Sequence, residues 1–92
     1  MTVFKNKFTE DIADGVCIKG YAKDLIKKAM LKIISVRAAE NINELLYPPS
    51  NRLEKLHGDR KGQYSIRVND KYRICFDWVS DHAENIEFVD YH

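Results

Sequence analysis

Residues 63–78, "QYSIRVNDKYRICFDW", decide the fold because they form two alternating segments around a turn. Tyr64, Ile66 and Val68 alternate with polar residues in the first segment, and the alternation resumes after "NDK". Apolar residues at every second position are typical of a half-buried β-strand, and Asn-Asp favours a turn. The apolar residues of the second segment are Tyr72, Ile74, Phe76 and Trp78. The stretch therefore predicts an antiparallel hairpin with one apolar face.

The residues after the hairpin predict a third strand. "SDHAEN" (80–85) indicates a turn, and "IEFVDY" (86–91) continues the alternation with Ile86 and Phe88 on the apolar face. Successive side chains of a strand point to opposite faces, so parity also defines the other face of the sheet. It carries Arg67, Arg73, Glu87, Val89 and Tyr91.

Upstream, the pattern changes to helical spacing. Residues 21–36 predict a long helix, because their apolar residues recur every three or four positions. These residues are Ala22, Leu25, Ile26, Ala29, Met30, Ile33 and Ile34. "VFKNKF" (3–8) predicts a short strand, and "KFTEDIADG" (7–15) predicts a brief helix.

Residues 38–62 connect the helices to the hairpin. "AAENINELLYPPS" (38–50) predicts a shorter helix that ends before Pro48, because the residue before a proline disfavours the helical conformation. "PPSNRLEKLHGDRKG" (48–62) has no sustained period and predicts a long loop, a kind of segment that is often functional in small domains. The whole pattern predicts an α+β fold, with helices packed on one side of a small antiparallel sheet.

Length and composition fit a single cytoplasmic domain over residues 1–92. The 92 residues are 45% hydrophobic, which suffices for one core. No segment resembles a transmembrane helix or a secretory signal. Cys17 and Cys75 are far apart and the three histidines are scattered, so we expect no disulfide, no metal site and no cofactor.

Charge is segregated although the net charge is only +1. Residues 19–37 contain six basic residues and one acidic residue, and residues 52–73 contain seven basic and three acidic residues. Residues 74–92 contain five acidic residues and no lysine or arginine. Such segregation can create a surface for a polyanion beside an acidic surface, although solvated faces would give the same pattern.

The end of the chain carries further reactive groups. Tyr91 shares the polar face, whereas Asp90 and His92 have the opposite parity, but the alternation need not hold at a strand end and all of them could converge on one surface. Arginine binds phosphate oxygens, tyrosine stacks on an unpaired base, and histidine exchanges protons near neutral pH. Arg73, Tyr91 and His92, with Asp90, could therefore cleave RNA through its 2′-hydroxyl without a metal. A structural alternative is that Arg73 pairs with an acidic neighbour such as Asp77 or Glu87, while Tyr91 packs on the sheet edge.

Three motifs closely resemble the C-terminal half of the HigB-type toxins, a branch of the RelE superfamily of bacterial toxin–antitoxin systems. They are "LHGDRKG" (56–62), "SIRVNDKYRICF" (65–76) and the ending "DYH" (90–92). The resemblance covers residues 53–92, and upstream only the order of strand and helices is similar. It implies a RelE-like endoribonuclease that enters the ribosome and cuts mRNA in the decoding site.

The resemblance also implies partners and residue roles. The partners are an antitoxin with a helix-turn-helix fold (HigA-like), the ribosome and mRNA, and operator DNA reached only through the antitoxin; no membrane is expected. By motif position, His92 transfers a proton, Asp90 orients it, Tyr91 positions the nucleotide and Arg73 binds the phosphate. From the basic segment 52–73, the residues predicted to bind RNA are Arg60, Lys61, Arg67 and Lys71.

The chain departs from the family in its loop. Glu54 stands where well-known members carry a histidine, and His57 stands where they carry a lysine. We expect either residue to supply the second proton-transfer or charge-stabilising group, with His57 favoured because an imidazole can both give and take a proton near pH 7. The substitution leaves a second function open, a weakly active or non-catalytic toxin-like module that acts with its antitoxin as an operon co-repressor.

The predicted role of His92 can be tested by deleting it. We expect a loss of cleavage of at least about 100-fold without unfolding, because His92 lies beyond the last apolar residue of the predicted strand. Single-turnover cleavage on programmed ribosomes and thermal unfolding measure the two properties. A folded truncated chain that still cuts mRNA would remove His92 from the mechanism.

Overall fold

The computed structural model describes residues 3–16 and 18–90, and in them two helices pack on one face of a four-stranded antiparallel sheet. The helices are α1 (Lys7–Ala13) and α2 (Lys23–Ala38). The strands are β1 (Glu54–Lys55), β2 (Gln63–Arg67), β3 (Tyr72–Val79) and β4 (His82–Asp90), and they lie side by side in chain order. The predicted α+β class is confirmed. The predictions for Cys17, Tyr91 and His92 fall outside the described residues.

The core lies between the helices and the inner face of the sheet. Ile66, Ile74, Phe76 and Ile86 are fully buried, as the alternation predicted, and they belong to the same apolar cluster as Ile33 of α2. Burying each such side chain stabilises the fold by about 1.5–3 kcal/mol. This inner face therefore fixes the register and commits the alternate residues to the outer face.

The start of the chain differs from the prediction. Residues 3–8 were expected to form a strand, but the structure has only a single parallel bridge between Phe4 and Ile86. The side chain of Asn6 explains the difference, because it accepts a hydrogen bond from the amide of Thr9 at 2.9 Å and caps α1. Helix therefore replaces strand from Lys7 onward.

Helix α2 confirms the predicted long helix, shifted by two residues. Its buried positions are Ala29, Ile33 and Val36, spaced four and three residues apart. Ile34 was expected on this face but is 49% exposed, because it lies about 100° around the helix from Ile33. In the described part of the chain, no helix combines the length and apolar character that crossing a bilayer requires.

The connection between α2 and the hairpin holds more structure than predicted. The expected helix in residues 38–50 is the 3-10 helix Ile42–Leu46, and a second 3-10 helix spans Pro49–Asn51. The predicted long loop was wrong, because it contains β1 and a third 3-10 helix, Gly58–Arg60. A strand of two residues is too short to produce an alternating pattern, which is why the sequence did not indicate β1.

The predicted turn at residues 80–85 was also too long. Strand β3 continues to Val79 and β4 begins at His82, so only two residues connect them. The ladder between these strands has an irregularity next to Cys75, and Asn85 takes a positive φ of 53° there. A bulge shifts the alternation of side chains, so the residues of β4 before Ile86 show no strand pattern.

Asn51 fastens the connection to α2. Its side chain is buried, accepts a hydrogen bond from the Lys32 ammonium and donates to the carbonyls of Leu45 (3.2 Å) and Tyr47 (3.1 Å). Burial lowers the pKa of Lys32, and the nearby charge of Lys28 adds to this effect. The polar atoms at this junction therefore depend on one another.

We expect Asn51→Ala to destabilise the fold by about 2–3 kcal/mol, because it leaves buried polar groups without partners. Urea unfolding measures the loss. Asn43→Ala is the matched control, since the Asn43 side chain is exposed and should change stability by less than about 0.5 kcal/mol. Equal stability of the two variants would show that the Asn51 hydrogen bonds contribute nothing.

Candidate functional site

The outer face of the sheet carries two rows of paired residues. In one row Glu54 pairs with Ser65, Ser65 with Cys75, and Cys75 with Glu87. In the next row Arg67 pairs with Arg73, and Arg73 with Val89. The register confirms the predicted grouping of Arg67, Arg73, Glu87 and Val89 on one face, and it adds Glu54 from β1.

Arg73 is the centre of this face. Its guanidinium donates to the hydroxyl of Ser65 (2.8 Å from Nε) and to the backbone carbonyls of Arg52 (2.7 Å) and Ser65 (3.4 Å). A carboxylate oxygen of Glu54 lies 3.5 Å from the same group. With its side chain only 12% exposed, Arg73 is held in one orientation by protein acceptors. A fixed guanidinium presents a positive charge without having to reorganise.

Two expectations about this face need correction. The sequence indicated an open face, but Ser65 and Cys75 are fully buried. The suggested ion-pair partners of Arg73 were Asp77 and Glu87, whereas among residues 3–16 and 18–90 Arg73 pairs with Glu54, and Glu87 pairs with Arg60 at 3.2 Å. The correction follows from β1, which covers the edge of β2 and brings Glu54 to Arg73.

A cleft of about 300 Å³ opens beside Arg73. Its lining residues are Arg52, Glu54, Arg67, Asn69, Asp70 and Arg73. Arg67 also forms an ion pair with the exposed Asp70, a pair that contributes little to stability in water. A cleft lined by three arginines suits an anion with several oxygen atoms, such as a phosphodiester.

Two residues of this site were missed by sequence reasoning. Ser65 orients Arg73, and it appeared only as a polar residue between apolar ones. Arg52 contributes its carbonyl from a left-handed backbone conformation (φ 46°), and no sequence pattern marks that conformation at an arginine. The sequence indicated a role for Arg52 only through its position in the basic segment 52–73.

Asp90 and Lys71 lie at the end of the site where β4 finishes. The Lys71 ammonium is 3.8 Å from the Asp90 carboxylate and 5.5 Å from the centre of the Tyr72 ring. Asp90 is opposite Tyr72, the residue before Arg73. The structure thus brings Asp90, Lys71 and Arg73 to one end of the sheet.

Arg60 and Lys61, both predicted to bind RNA, lie towards the other end of the outer face. Arg60 donates to Gln63 (3.1 Å) and pairs with Glu87, while Lys61 is exposed. They border a separate cleft of about 470 Å³, together with Lys5, Asp59, Gln63 and Asp77. Arg60 is therefore partly committed to an internal ion pair.

The loop residues Glu54 and His57 occupy different places. Glu54 contacts Arg73, whereas His57 is exposed and precedes the 3-10 helix Gly58–Arg60. The amide of Leu56 donates a hydrogen bond to the carbonyl of Gln63, which lies at the end of β2 opposite Arg67. The chain therefore leads away from Arg73 after Glu54. Three residues of extended chain place the His57 backbone roughly 10 Å from that of Glu54.

The buried thiol of Cys75 is not a nucleophile for this site. Burial raises the pKa of the Cys75 thiol, so the thiolate is disfavoured. Within residues 3–16 and 18–90, no cluster of three or more histidine, cysteine or acidic side chains could hold a metal ion. The chemistry supported by the described residues is phosphate binding by arginine next to carboxylates.

Comparison with known proteins identifies the family. The matching family model, described as RelE-like toxin of type II toxin–antitoxin system HigB, covers residues 3–92. Toxin HigB-1 of Vibrio cholerae is 36% identical over 83 residues, which are 89% of this chain and 87% of that protein. Endoribonuclease HigB of Proteus vulgaris is 29% identical over 94 residues, covering 97% and 96% of the two chains.

An uncharacterised protein of Haemophilus influenzae is 38% identical over 69 residues, which are 75% of this chain and 67% of that protein. The class defined by the fold and by these matches is a toxin of a type II toxin–antitoxin system. The chain belongs to the HigB-like family of RelE-like toxins, and this implies an antitoxin as its partner.

Proposed function

We propose that the chain is an endoribonuclease that cuts mRNA on the ribosome, without a metal ion, by activating the RNA 2′-hydroxyl. The observation that carries the proposal is the guanidinium of Arg73, fixed by Ser65 and the Arg52 carbonyl beside a cleft with two further arginines. The relative named Endoribonuclease HigB supports the same activity.

The reaction needs one proton acceptor, one proton donor and a positive charge. The 2′-oxygen attacks phosphorus as its proton leaves, the bond from phosphorus to the 5′-oxygen breaks, and that oxygen takes a proton. Arg73 stabilises the charge on the phosphate. We assign proton transfer to His92, its orientation to Asp90, and stacking on the nucleotide to Tyr91.

We assign the second proton-transfer group of the reaction to the loop residue Glu54, which lies beside Arg73. It lies within 3.5 Å of the guanidinium, and the positive charge of Arg73 offsets the repulsion between the carboxylate and the phosphate. His57 was the stronger candidate on chemistry alone, but the contact to Arg73 favours Glu54. Arg67 and Lys71 would bind the RNA backbone near this end, and Arg60 and Lys61 would do so further along the sheet.

The ribosome supplies the positioning in this proposal. A net charge of +1 gives little long-range attraction to free RNA, so a message already held in place is the better substrate. The partner antitoxin would carry a helix-turn-helix fold and connect the complex to operator DNA. The site of action is the cytoplasm, where ribosomes and mRNA meet.

Ribosome dependence and the role of Arg73 are tested together. We expect the wild-type chain to cut ribosome-bound mRNA at least about tenfold faster than the same RNA free in solution. Arg73→Ala should lose about 100-fold or more in rate, because it removes the group that stabilises the phosphate. Single-turnover rates on programmed ribosomes provide the measurement, and Arg37→Ala on the helical side is the matched control.

Stability separates a functional Arg73 from a structural one. Arg73→Ala leaves the Ser65 hydroxyl and the Arg52 carbonyl without this donor, and we expect a loss of about 1–2 kcal/mol. Normal cleavage by the folded fraction of the variant would show that Arg73 is structural. Growth inhibition without any mRNA cleavage by the wild-type chain would favour the non-catalytic co-repressor.

Glu54 and His57 can be distinguished by single substitutions. We expect Glu54→Ala to lose more than about tenfold in single-turnover rate, equivalent to about 1.4 kcal/mol of transition-state stabilisation, while His57→Ala stays within about threefold of wild type. Glu54→His restores the family's residue and should keep the rate. The reverse order, with His57→Ala inactive and Glu54→Ala normal, would transfer the role to His57.

A further inference from the structure

Helix α2 carries two apolar side chains, Leu31 and Ile34, outside its buried face. Leu31 is 53% exposed and Ile34 is 49% exposed, although both lie in the middle of the helix. The face of α2 that packs in the core is a different one, formed by Ala29, Ile33 and Val36. A helix that is apolar on both sides usually has a partner on each of them.

A cleft of about 230 Å³ runs alongside this face, between α2 and the residues that follow α1. Its lining residues are Gly15, Val16, Ile18, Lys23, Ile26, Lys27 and Met30. Ile34 follows Met30 by four residues and Leu31 follows Lys27 by four, so both continue the cleft along the helix. We call the cleft together with Leu31 and Ile34 the α2 surface.

Lysines border the α2 surface without acidic partners. Lys23, Lys27 and Lys28 are exposed, and none of them forms an ion pair within the described residues. Lys32, by contrast, donates internally to Asn51. Lys23, Lys27 and Lys28 outnumber the acidic Asp24 on this part of α2. The surface therefore combines an apolar cleft with a net positive charge, which complements a segment carrying both apolar and acidic side chains.

We propose that the α2 surface is the docking site of the antitoxin, and that it receives an amphipathic acidic segment of that protein in the manner of a helix in a groove. The inference rests on the family's antitoxin and not on RNA cleavage. A second copy of the chain fits less well, because it would place the same lysines against one another. The surface lies across the sheet from Arg73, so it is separate from the candidate site.

The test uses the full chain and the antitoxin produced from the reading frame adjacent to its gene. Isothermal titration gives the Kd for wild type, Leu31→Glu, Ile34→Glu and Lys27→Glu. We expect each variant to weaken binding about tenfold or more, since each places a negative charge on a surface that receives acidic residues. Val79→Glu is the matched control, an exposed apolar residue at the β3–β4 turn, and it should bind as wild type does.

Thermal unfolding and RNA cleavage serve as controls for the variants, and sedimentation tests whether a second copy of the chain occupies the surface. Thermal unfolding should be unchanged, because all three substituted residues are exposed. RNA cleavage by the free variants should also be unchanged, which keeps this test independent of the proposed function. Wild-type affinity in all three variants would overturn the proposal. So would a wild-type dimer in sedimentation that Leu31→Glu dissociates, because a second copy would then occupy the surface.

Discussion

The hydrogen bonds that hold the Arg73 guanidinium are the interaction on which the outer face depends. An arginine whose side chain is only 12% exposed needs acceptors, and here Ser65 and the Arg52 carbonyl provide them at 2.8 and 2.7 Å. These acceptors come from Ser65 in β2 and from Arg52, two residues before β1. The orientation of the guanidinium therefore depends on the position of the edge strand β1. Glu54 belongs to that strand and contacts Arg73.

A chain of polar contacts connects this site to the helical layer. Lys32 of α2 donates to Asn51, the neighbouring Arg52 turns through a left-handed conformation, and its carbonyl accepts from Arg73. The sheet thus separates two surfaces of different chemistry. One side carries arginines and carboxylates that suit a phosphodiester, and the other carries lysines and apolar side chains on α2. A small domain can in this way serve an RNA and a protein partner without overlap.

The sequence predicted the parts of the fold that rest on periodicity. The hairpin and α2 repeat their apolar residues over eight or more positions, so their pattern exceeds chance. Strand β1 has two residues and no pattern, and without it neither the burial of Ser65 nor the contact between Glu54 and Arg73 can be deduced. The grouping of Arg67 with Arg73 followed from parity, whereas Arg52 acts through its backbone, which sequence does not reveal. Tyr91 and His92 stay predictions.

The central claim is that the 2′-hydroxyl of the RNA attacks the phosphate that Arg73 binds. Its most direct test is a single change in the substrate. On programmed ribosomes, one 2′-deoxynucleotide placed at the cleaved position removes the attacking oxygen and leaves every protein contact intact. We expect the all-RNA message to be cut and the deoxy-substituted message to be cut at least about 1,000-fold more slowly. Equal cleavage of the two messages would contradict the mechanism.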